Sequence, residues 1–121
     1  MKKLLTVTAV FEAATGLGLL FAPTRVVSVL LNSSLAEPSG ILVGRLAGTA
    51  LISIAIMCWL YRNEEHAGGV VKAVLFYNVA AAALLVYATS GFSAWALWAV
   101  ALLHAGMAMW CIRALQKKIN N

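Results

Sequence analysis

The sequence predicts an all-α polytopic membrane protein, a bundle of four transmembrane helices with a short amphipathic segment between the first and the second. Composition is the first reason. Of 121 residues, 63% are hydrophobic and 11% charged, and the mean hydropathy is +0.91, too apolar for a soluble domain of this size. Spacing is the second: apolar runs at 4–22, 40–61, 69–88 and 92–113 approach or exceed the roughly 20 residues a helix needs to cross hydrocarbon. The third is charge. Of the nine Lys and Arg residues, Lys2, Lys3, Arg62, Lys72, Arg113, Lys117 and Lys118 flank one end of the runs, Arg25 flanks the other, and Arg45 lies within a run. That bias predicts a multi-pass membrane protein with both termini and the second loop cytoplasmic. The formal charge of +5 then belongs to a rim facing anionic lipid, so the expected partner is the bilayer and not nucleic acid. Four spans consume most of the chain, which predicts one domain over 1–121.

The opening Met1-Lys2-Lys3-Leu4-Leu5 imitates a signal peptide, yet Glu12 interrupts the apolar core and Leu20-Phe21-Ala22 runs into Pro23, so an uncleaved first span is expected. Thr8, Glu12 and Thr15 recur at helical steps and make one polar stripe, with Glu12 near mid-membrane. Gly16 and Gly18 offer close-packing surface. Pro23 marks a break. The stretch 24–31, TRVVSVLL, predicts one or two interfacial turns capped by Thr24, with Arg25 and Ser28 toward water and Val26, Val27, Leu30 and Leu31 toward apolar surroundings. It reads as a connector or as a lid. Turn residues Asn32, Ser33, Ser34, Pro38 and Ser39 predict the first outer loop.

The second span carries Arg45 within its first turns, a charge that costs about 2.5–3.5 kcal/mol at a helix centre on insertion scales and so requires an interface or a partner. Gly44 and Gly48 form a G-x-x-x-G pair beside it, and Thr49 and Ser53 continue its polar stripe. Trp59, Tyr61 and Arg62 close the span as an interfacial anchor. Glu64, Glu65 and His66 in the next loop lack metal-ligand spacing. The third span has Lys72 near the inner interface, Tyr77 and Asn78 near its middle, and four alanines at 80–83. Trp95 and Trp98 of the fourth span suit the outer aromatic belt and Trp110 the inner one, with His104 between them. Cys58 and Cys111 fall near cytoplasmic helix ends, where thiols stay reduced.

Rise per residue puts Glu12, Asn78 and His104 at similar depth, and Arg45 about 8 Å nearer the exterior. Arg45 is therefore expected to point inward to Glu12, while Tyr77, Asn78 and His104 complete a hydrogen-bonded centre. Such a centre can fix helix order, or it can bind a ligand or handle protons. His104, Met107 and Cys111 share a helix face and form a soft set acceptable to copper(I), although Met and Cys are equally ordinary core filler. No nucleophile has an evident base and oxyanion donors, so neither an enzyme nor a cofactor is expected.

Glu12 followed by the run to Pro23, the Gly44-Arg45-Leu46-Ala47-Gly48 opening with its terminal Trp59, Tyr77-Asn78, and His104 together make the chain resemble small four-helix membrane proteins of the DoxX-like kind. That resemblance implies a four-helix fold in the bacterial inner membrane, with a role as an accessory subunit or in small-molecule handling. The chain is also similar in length, span number and first-span glutamate to the small multidrug resistance transporters, but Arg45 and the strong charge bias depart from that pattern. The expectation is a small inner-membrane protein with a polar site inside the bundle. It binds a small or lipid-like ligand, or serves as accessory subunit to a membrane-protein partner or homo-oligomer. The alternative is a proton-coupled transporter or channel using Glu12 and His104.

Overall fold

The computed structural model describes residues 1–119, which form five helices: α1 (Lys2–Phe21), α2 (Pro23–Leu31), α3 (Pro38–Tyr61), α4 (Gly68–Ala88) and α5 (Trp95–Ile119). Four of them, all but α2, are long and apolar enough to cross a membrane. Large apolar side chains lie on the outside rather than within. Phe76, Tyr87 and Trp95 are 77%, 79% and 82% exposed, a surface suited to lipid and costly in water. The helices match the expected spans to within a few residues, except that α5 continues past 113 to Ile119.

The bundle is built from two antiparallel pairs, α1 with α3 and α4 with α5, which meet each other far less extensively than the partners within each pair. Glycine sets the first pair. A Cβ on Gly16 would lie 2.8 Å from the Gly48 carbonyl oxygen, and one on Gly48 would lie 2.6 Å from the Gly16 carbonyl oxygen and 2.7 Å from the Leu20 nitrogen. Only hydrogen at both positions allows the two backbones to touch. Gly44, one turn along α3, lies against Pro23 and so seats the start of α2.

The pairs join at the end that carries the first residue. There Leu4, Leu5, Ala9, Cys58, Ala67, Val71, Val74 and Cys111 form one buried apolar cluster drawn from all four long helices and the α3–α4 turn. The rim of this end is tied by polar contacts. Lys118 Nζ donates to the Glu65 carbonyl at 2.6 Å, and the Arg62 guanidinium stacks 3.7 Å above the Trp59 ring while donating to the Trp59 carbonyl. At the opposite end α2 lies across the mouth, contacting α1, α3 and α5. Its start differs from the expectation: Ala22 is the N-cap and Pro23 the first helical residue, a position where a missing N–H costs nothing, so Thr24 sits inside the helix. Asn32 ends α2 in the left-handed conformation at φ 51°, which asparagine tolerates better than most residues.

Candidate functional site

Because the two pairs diverge from their shared apolar end, a cavity of about 400 Å³ opens between them below α2. Phe11, Glu12 and Thr15 of α1, Tyr77 of α4, Ala96, Val100 and His104 of α5, and Arg25, Val26, Val29 and Leu30 of α2 line it. Arg25 and Val29 are exposed yet line it, so the cavity reaches the surface beside α2. Its volume falls within the range of roughly 300–1,000 Å³ typical of small-molecule sites.

The polar groups gather on one wall. Glu12, Asn78 and His104 are 2%, 1% and 5% exposed, and they come from three different helices. Tyr77 Oη donates to Glu12 Oε2 at 3.3 Å. Asn78 Nδ2 donates to the Val74 carbonyl at 2.8 Å, and Asn78 Oδ1 lies 2.9 Å from His104 Nδ1. The Val74 bond fixes which way the Asn78 amide faces, because the reversed amide would set two oxygens against each other. Asn78 Oδ1 can only accept, so His104 Nδ1 carries the proton in this contact and Nε2 is the ring nitrogen left over. The ring is held edge-on to Tyr77 and Phe11, with centroids 5.6 and 6.2 Å away.

Among the described residues, no buried side-chain nitrogen or oxygen lacks a hydrogen-bond partner. Among the same residues Glu12 Oε1 and His104 Nε2 make no hydrogen bond, so each keeps some accessible surface, and the cavity is the space that these two residues line. The site thus presents one carboxylate oxygen and one imidazole nitrogen to a chamber whose remaining lining is apolar apart from Thr15, Tyr77 and Arg25.

Four of the five expected site residues, Glu12, Tyr77, Asn78 and His104, are brought together. Arg45 is not. It is exposed and does not line the cavity, and Glu12 has Tyr77 as its hydrogen-bond partner instead. The Gly16–Gly48 crossing gives the reason. Arg45 lies three residues outward of Gly48 and Glu12 four residues inward of Gly16, an axial separation of about 10 Å, and the side chain is turned about 60° from the glycine contact. The stripe it begins faces away as well: Thr49 and Ser53 are exposed and return their hydroxyls to the carbonyls of Arg45 and Thr49. The arginine at the cavity is Arg25, which the sequence placed only on an interfacial helix; the amphipathic pattern of 24–31 was the available signal.

The copper set is also dispersed. His104 faces the cavity, whereas Cys111, about 10 Å further along α5, is buried beside Cys58 in the apolar cluster, with Met107 packed against it. Neither cysteine is disulfide-bonded. Among the described residues no group of three or more His, Cys, Asp and Glu side chains is placed to hold a metal ion. No protein-family model, curated protein or solved structure matches this chain.

Proposed function

We propose that this chain is a non-enzymatic protein of the bacterial inner membrane, with cytoplasmic termini, that binds a small, largely apolar or lipid-like molecule in the chamber beneath α2. The observation that carries the reading is the combination of apolar walls with two open polar atoms, Glu12 Oε1 and His104 Nε2, in a cavity of ligand size. Apolar walls contribute affinity in proportion to the area they cover, and the few polar atoms select the head group. Surface access beside α2 supplies a route that avoids the sealed end. An accessory role in a larger membrane assembly, with a membrane-protein partner or a second copy of this chain, is compatible with the same site. The DoxX-like affiliation belongs to this proposal too, on the strength of Glu12 with the run to Pro23, the Gly44-Arg45-Leu46-Ala47-Gly48 opening with its terminal Trp59, Tyr77-Asn78 and His104.

Lipid extract from the host membrane is expected to raise the unfolding temperature of the purified wild type, since a molecule bound only to the folded state stabilises it. Val100→Trp, which fills the space between α5 and α2, is expected to be insensitive to the extract. Equal responses would place the binding elsewhere.

Proton-coupled transport is the second reading, favoured by the presence of Glu12 and His104 in one chamber. The ligand-site reading expects reconstituted protein to pass protons no faster than empty liposomes. A proton flux that Glu12→Gln removes would instead establish transport.

A further inference from the structure

The inner wall of the chamber, formed by Glu12, Tyr77 and His104, offers a ligand acceptors, while the donors among the lining residues, the Thr15 hydroxyl and the Arg25 guanidinium, lie toward α2. The Tyr77 hydroxyl proton is committed to Glu12 Oε2, which leaves the Tyr77 oxygen able to accept but not to give. Glu12 Oε1 is an acceptor as a carboxylate oxygen. His104 Nε2 is an acceptor because Asn78, itself locked by the Val74 carbonyl, holds the ring proton on Nδ1. Phe11 and Tyr77 add aromatic rings to the same wall.

Resting on the ligand-site reading above, we propose that the head group recognised here is a protonated amine on an apolar chain, its ammonium seated between Glu12 Oε1, His104 Nε2 and the Tyr77 oxygen. An alkylammonium brings three donors and no acceptor, which matches the three acceptors of that wall. It also brings the positive charge that Glu12 lacks within the chamber, because Arg25 lines the cavity only from an exposed position on α2. The aromatic faces add attraction for a cation. A carboxylate or phosphate head would confront these acceptors with oxygen lone pairs and find donors only at Thr15 and Arg25, toward α2. An alcohol would satisfy one acceptor and leave the others dry. The hydrocarbon then runs along Ala96, Val100, Val26 and Leu30 toward the opening.

Titration of decylamine, decanol and decanoate into the full-length protein in phosphatidylcholine nanodiscs, followed by calorimetry, tests this. Decylamine is expected to bind one per chain, roughly ten-fold or more tighter than decanol, the scale of a charge-assisted hydrogen bond, with decanoate weakest. Glu12→Gln, which keeps the side-chain shape, is expected to reduce decylamine to the level of decanol. The nitrogen-15 signal of His104 Nε2 in the unmutated protein gives a readout independent of that variant's folding: it should shift with decylamine and stay in place with decanol. Equal binding of all three, or preference for the alcohol or the acid, overturns the amine assignment and leaves the apolar ligand site standing. Binding of none of them overturns both.

Discussion

Gly48→Leu is expected to produce the largest loss of stability of any single substitution in the spans, about 3 kcal/mol, read as a lowered thermal unfolding midpoint in detergent. The added Cβ would meet the Gly16 carbonyl oxygen at 2.6 Å and the Leu20 nitrogen at 2.7 Å. Both are backbone atoms of a helix and cannot step aside as a side-chain tip can. The whole of α1 must move off α3, which also drags Gly44 from Pro23 and unseats α2. The expected consequence therefore reaches the cavity, whose α2 wall loses its support. Gly106 in α5 is the control: a Cβ there meets nothing within 4 Å, so Gly106→Ala should be neutral or stabilise by about 0.5–1 kcal/mol through helix propensity. A Gly48→Leu protein as stable as wild type would mean that the α1–α3 crossing is not a backbone contact.

Asn78→Leu is expected to cost roughly 1–2 kcal/mol, as it deletes the amide that donates to Val74 and accepts from His104. The more telling effect is on the ring. Without Asn78 Oδ1 the Nδ1 proton has no assigned partner, and the imidazole is free to move its proton to Nε2. Nitrogen-15 spectra of His104 should show the Nδ1–H form in wild type and a mixture of tautomers in the variant. An unchanged His104 spectrum would show that another group orients the ring.

The helices were legible because hydrophobic run length reports the number of long apolar helices directly, and Pro23, Pro38 and the 62–67 loop punctuate the runs. Rise per residue also brought Glu12, Asn78 and His104 to one depth, since each of the three lies near the middle of its helix. Rotation was less accessible. Gly44, Arg45 and Gly48 sit within two turns, and the sequence does not say whether the glycines and the arginine face the same neighbour. The Gly16–Gly48 backbone contact decides that, and it turns Arg45 outward. The uneven joining of the two pairs was equally hidden, because alanine, leucine and valine occur on every face and carry no directional signal. It is that uneven joining which leaves a chamber beside the polar wall, with α2 and Arg25 at its mouth.

The central claim is that this chamber holds a ligand, and native mass spectrometry of protein extracted directly from its membrane into nanodiscs tests it most directly. The account expects one small non-protein molecule retained per wild-type chain and lost in Val100→Trp. A wild-type chain that emerges without any bound molecule, with a spectrum matched by Val100→Trp, would contradict it.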